Sequence, residues 1–175
     1  MDITGTNLVI TGSYEPLDGD HFVIVNNNSG NPITGTFNGL AEDDVVSLDF
    51  LGSGKMARIS YLGGDGNDAE IRVFSNNASL SNLVVTTAAL VPAFSPAITS
   101  YSSVVSDAIT SVTVTPTVTE SHAVVTVNGV PVVSGTASSS IPLVIGANVI
   151  STVVTAEDNV TTKTYTVTVN RSLVF

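Results

Sequence analysis

Thr162-Lys163-Thr164-Tyr165-Thr166-Val167-Thr168-Val169 alternates for eight residues without a break. Tyr165, Val167 and Val169 fall on one side of an extended chain and the threonines on the other. Period two with one apolar face describes a strand in an antiparallel sheet packed on one side. Upstream, Val112, Val114 and Val118 alternate with Thr113, Thr115 and Thr117. Val127-Asn128-Gly129-Val130 carries the Asn-Gly pair that a type I′ hairpin turn requires.

From residue 76 onward the chain holds 22 Val and 17 Thr, side chains that are stiff at χ1 and suit a pleated surface. About seven short strands in about a hundred residues predict an immunoglobulin-like sandwich. The Cys and Trp that mark antibody domains are absent, since the chain contains neither residue.

Before residue 76 the composition differs. Residues 1–75 hold eleven Asp and Glu against three Lys and Arg, a charge of −8; residues 76–175 hold four against two, or −2. Candidate strands here are Asn7–Thr11, His21–Val25, Val45–Leu51, Ala57–Tyr61 and Glu70–Phe74, separated by turns rich in Gly, Asn and Asp. Ser75-Asn76-Asn77 marks the change. The expectation is an all-β chain of two tandem antiparallel domains. Residues 1–75 form an acidic strand-rich domain, sandwich or solenoid-like, and residues 76–175 form the sandwich.

Composition narrows the function. Of 175 residues, 43% are hydrophobic and 11% charged, too apolar for a disordered tail. No run approaches 18 apolar residues, so no membrane span is expected. Met1 to Ile10 lack the basic start and apolar run of a signal peptide. A net charge of −10 argues against nucleic acid.

Residues 79–171 closely resemble the cadherin-like β-sandwich modules of bacterial surface and secreted proteins. The resembling pieces are Leu80-Ser81-Asn82-Leu83, Phe94-Ser95-Pro96 with Thr99-Ser100-Tyr101, Val112–Pro116, Val125–Gly129, Ile141-Pro142-Leu143 with Gly146-Ala147-Asn148, and Thr155–Asp158 leading into Lys163–Val169. Asn159 stands where the family usually has Gly, and Asn accepts the left-handed geometry of that turn. Residues 8–73 are similar to a looser pattern in the β-strand-repeat regions of autotransporter-like surface proteins. It is carried by Gly12-Ser13-Tyr14, Gly19–Ile24, Gly35–Glu42 and Ile59–Asp68. Both resemblances imply an extracellular or cell-surface, non-enzymatic module, with proteins, neighbouring domains or further copies of itself as partners.

Gly63-Gly64-Asp65-Gly66-Asn67-Asp68 overlaps the calcium nonapeptide pattern G-G-x-G-x-D-x-U-x, so Asp65, Asn67 and Asp68 are the candidate ligands for a structural Ca²⁺. Against it, Glu70 occupies the large apolar position and there is one copy, whereas stacked repeats complete each other's coordination. No other cofactor is expected. Glu42-Asp43-Asp44 and the pair Asp18 and Asp20 read as solvated turns. His21 and His122 stand alone in sequence, without a second His or a Cys at ligand spacing. Gly52-Ser53-Gly54-Lys55 misses the phosphate-loop pattern at Asp49 and Met56. Lys163 shares parity with Tyr165, which admits an intramolecular Lys–Asn isopeptide bond. Without Trp, and with four Tyr and six Phe mostly in strand patterns, a carbohydrate-binding module is the weaker alternative.

The two ends suggest a further possibility. Ile3–Ile10 is β-prone with no evident partner, and Ser172-Leu173-Val174-Phe175 is apolar. Few Lys protect the Val/Thr strands at Val112–Thr119 and Ile150–Ala156. Terminal strand addition, giving a filament or head-to-tail array, is one reading of these ends; the other is that both ends pack within their own domains.

Overall fold

The computed structural model describes residues 1–173. The chain divides into two compact units, Met1–Asn76 and the residues from Asn77 on.

In the first unit, β1 (His21–Val25), β2 (Val45–Ser47), β3 (Met56–Gly63) and β4 (Asp68–Phe74) form one sheet in the order β1-β4-β3-β2. Every pairing is antiparallel. Ile59 and Ile71 face each other across β3 and β4 and are buried, as are Ala57, Ala69 and Val73. Phe37, Phe50 and Ile3 complete that core.

Two expected strands differ. Val45–Leu51 ends as a strand at Ser47, because the chain turns into a 3₁₀ segment at Phe50–Gly52 that buries Phe50 and places Leu51 at φ +53°. Asn7–Thr11 joins no ladder. Its alternation is satisfied by packing: Leu8 and Ile10 rest on the core while Val9 is exposed.

The opening residues also have a partner. Ile3 is buried, donates its amide to Thr34 O, and Thr34 donates to Met1 O. Gly35, at φ +74°, lies against Thr4 so closely that a Cβ there would sit 2.1 Å from Thr4 Oγ1. The opening residues are therefore docked on their own unit.

The second unit contains β5 (Leu80–Val85), β6 (Ser100–Ser106), β7 (Ser111–Val112), β8 (Val114–Val118), β9 (Val124–Val127), β10 (Val130–Val132), β11 (Ile141–Pro142), β12 (Gly146–Thr155) and β13 (Thr162–Ser172). The main sheet has the order β10-β9-β12-β13-β6, and the ladders β5–β8 and β7–β11 lie apart from it. Pairings are antiparallel except β13 with β6, which run parallel from Thr166↔Ser100 to Ser172↔Ser106. Leu80, Leu83, Val85, Val114 and Val118 share one buried cluster with Val125, Val127, Ile150, Val154, Tyr165, Val167 and Val169, which makes the unit a sandwich. Asn128 and Gly129 both have positive φ, 49° and 80°, closing the β9–β10 hairpin as a type I′ turn requires. Asn159 takes the left-handed conformation at φ 59°.

Strand edges that the sequence leaves bare are covered. β12, which holds Ile150–Thr155, is flanked by β9 and β13. The outer side of β8 receives bonds from the chain that follows β10: Gly135 N to Pro116 O and Ser138 N to Val114 O, with Ser134 and Ser138 hydroxyls accepting Val118 N and Val114 N. Short serines thus substitute for a paired strand along the outer side of β8. At the other end β13 is paired on both sides as far as Arg171, and Val174 and Phe175, part of the apolar end expected to join a neighbour, lie outside the described residues.

Candidate functional site

The Gly63–Asp68 segment forms the β3–β4 connection, and Gly64 and Gly66 both take positive φ. Gly64 is required twice over, since a Cβ there would lie 2.0 Å from Asp68 Oδ2. Asp68 and Asn67 are buried and turn toward residues 26–31. Asp68 Oδ1 accepts the Asn27 amide at 2.7 Å, and Asn67 Nδ2 donates to Ser29 O. Asp65 stays exposed. The structure thus brings Asn67 and Asp68 together on one loop and leaves Asp65 outside. One acceptor in this network, Asn67 Oδ1, is buried without a hydrogen-bond partner.

The other acidic groups of the first unit bond its own backbone and side chains. Asp20 Oδ2 accepts the Leu17 amide and the Tyr14 hydroxyl. Asp18 pairs with Lys55 and accepts the Ser75 hydroxyl. Glu42 accepts the Ser60 hydroxyl and the Tyr61 amide, and Asp44 accepts the Ala41 amide. Glu70 is buried on β4 between His21, its Nδ1 3.3 Å away, and Arg72. Burial pushes the Glu70 carboxyl up, but the Arg72 guanidinium and the His21 ring outweigh it and hold the group below the usual carboxylate range.

In the second unit two tyrosines organise the Phe94–Ile98 corner. Tyr101 Oη donates to the carbonyls of Ser95 and Ile98, and accepts the Ser95 amide. Tyr165 Oη, fully buried, donates to Pro96 O and accepts the Leu80 amide. Lys163 Nζ also donates to Pro96 O at 2.7 Å and lies over the Tyr165 ring. That carbonyl contact, and not an Asn side chain, is what the Lys163 amine meets.

His122 is not isolated in space. Its Nδ1 lies 2.9 Å from Glu120 Oε1 and 3.7 Å from Glu157 Oε1. Glu120 Oε2 accepts the His122 amide at 2.9 Å, and Oε1 also accepts the Ser121 hydroxyl. Burial pushes the Glu120 carboxyl up; these hydrogen bonds from His122 and Ser121 and the neighbouring ring pull it below the usual range. Sequence reasoning missed the group because Glu157 is 35 residues from His122. The local signal was Glu120-x-His122, and only the β9–β12 register supplies the third member.

The second unit, with its buried cluster between two sets of strands and one parallel edge pair, is a β-sandwich module. A family model for the cadherin-like beta sandwich domain matches residues 80–172, just over half the chain, and the chain belongs to that family. Such domains are typically non-catalytic. A curated relative from Evansella cellulosilytica, named "Putative membrane protein", is 40% identical over 99 residues, 57% of this chain. The matched stretch spans 15% of that protein's length. Among the described residues, no helix is long and apolar enough to cross a membrane.

Proposed function

We propose that the chain is a non-enzymatic structural or adhesive module of a bacterial cell-surface or secreted protein, working outside the cell as a spacer or a protein-contact domain. The observation that carries the reading is the cadherin-like sandwich, whose polar side chains are spent on its own backbone. Tyr101, Tyr165, Asp158 and Arg171 all bond main-chain groups of loops and corners. Such bonds rigidify a module and leave recognition to its outer surface. Immunogold labelling of intact producing cells, and of their medium, tests the location. Label on the surface or in the medium is expected; label found only after cells are broken open rejects the reading. Pull-down from surface extracts with the intact chain then identifies the protein contact.

A second reading is favoured by Asn67 Oδ1: a Ca²⁺ held in the first unit by Asn67 and Asp68, without the exposed Asp65. A bound ion raises the melting midpoint in millimolar Ca²⁺, by about 2.7 kcal/mol of stability at a hundredfold excess over Kd. Asn67→Ala removes that calcium-dependent shift. A melt identical in EDTA and in Ca²⁺ rejects the site.

A further inference from the structure

The sandwich brings one imidazole and two carboxylates to a single point at one end of its main sheet. β9 and β12 pair with Thr155 opposite Val124 and Val154 opposite Val125. Continued two residues beyond the ladder, that register sets Glu157 opposite His122, and both lie in turns that their own hydrogen bonds fix. On one side, Ala123 N donates to Glu120 O while Glu120 Oε2 accepts His122 N. On the other, Asp158 accepts the amides of Val160 and Thr161 and the Thr161 hydroxyl, and Ala156 N donates to Thr161 O.

Three ligand atoms converge between these turns, His122 Nδ1 and one carboxylate oxygen from each of Glu120 and Glu157, all within 4.8 Å of one another. The Nδ1 separations are 2.9 and 3.7 Å. Two donors at the Zn–N and Zn–O bond lengths of about 2.1 Å, at a tetrahedral angle, stand about 3.4 Å apart. The observed spacings bracket that value.

We propose that Glu120, His122 and Glu157 form a binding site for a divalent first-row transition metal, Zn²⁺ in particular, that clamps the β8–β9 loop to the β12–β13 turn. The imidazole selects this class over Ca²⁺ and Mg²⁺, which take oxygen ligands. His122 is exposed and Glu120 and Glu157 are partly covered, so the remaining coordination position faces solvent and takes water or a donor from a partner.

The test is isothermal calorimetry of Zn²⁺ into the metal-free full chain at neutral pH, followed by scanning calorimetry with and without Zn²⁺. The expected result is one equivalent bound, a rise of several degrees in one unfolding transition, and loss of both effects in His122→Ala and in Glu157→Gln. His21→Ala, which removes the other imidazole, leaves them intact. Ca²⁺ and Mg²⁺ at the same concentration do not move the transition that Zn²⁺ raises. Co²⁺ gives visible absorption of a four- or five-coordinate N/O site that His122→Ala abolishes. The absence of stoichiometric binding overturns the proposal, and so does binding that survives His122→Ala or disappears with His21→Ala.

Discussion

Thr152 sits in the middle of β12, opposite Val127 of β9 and Tyr165 of β13, and is fully buried. Its neighbours on the same face, Ile150 and Val154, are buried too. Its hydroxyl has no hydrogen-bond partner. Valine has the same branched shape and the same χ1 stiffness, so Thr152→Val exchanges that hydroxyl for a methyl with little repacking. An unpartnered buried hydroxyl costs about 1–3 kcal/mol by mutational measures. Thr152→Val therefore stabilises the second unit by about 1–2 kcal/mol. In a domain of about a hundred residues each kcal/mol moves the midpoint by about 4–8 °C. Scanning calorimetry of the full chain reads the shift, which falls on one of its unfolding transitions. Thr152→Ser is the control: it keeps the hydroxyl, loses a buried methyl and lowers stability by about 1 kcal/mol. A Thr152→Val protein with an unchanged or lower midpoint refutes the reasoning, because the hydroxyl then has a partner, such as an enclosed water, that valine removes.

Three other perturbations probe different joints. Tyr165→Phe leaves the buried Leu80 amide without its acceptor and removes a donor to Pro96 O, so a loss of about 1–3 kcal/mol is expected in urea titration. Glu70 has its folded-state carboxyl held below the ordinary 4.5. Its contribution is present above that pH and lost as pH falls through the lower folded value; Glu70→Gln flattens the acid limb of a stability-versus-pH curve, and an unchanged limb contradicts the ion-pair account. Gly35→Ala adds a Cβ 3.0 Å from Thr4 Cα at a positive φ, so the opening segment must lift; faster amide exchange at Ile3 and Thr34 reports it, and unaltered protection counts against the docking described above.

The sandwich was legible because its signals are local. Period two in Thr162–Val169, the Asn128-Gly129 turn and Asn159 in the last hairpin each depend on neighbours in sequence. β1 was legible to the residue for the same reason. Asn7–Thr11 misled because alternation reports which side chains are buried, not whether the backbone finds a ladder. The covered edge of β8 was hidden, since Ser134 and Ser138 look like ordinary loop residues until their hydroxyls meet Val118 and Val114. The Glu120–His122–Glu157 group was hidden by distance along the chain. A register that pairs residue 124 with residue 155 cannot be read from either segment alone.

β13 is the last strand among the described residues and yet an inner strand of its sheet, held by β12 on one side and β6 on the other. A nascent chain can pair β9 with β10 and with β12 early, but Tyr101 and Ile150 keep an open flank until residues 162–172 arrive to supply Tyr165, Val167 and Val169. Closure is set by contacts far apart in sequence, which makes it slow and late. A chain passing N-terminus first through a narrow pore would therefore keep this unit pliable until its final strand is through, and then lock on the far side. A chain cut short before β13 would leave the flanks of β6 and β12 open to proteases.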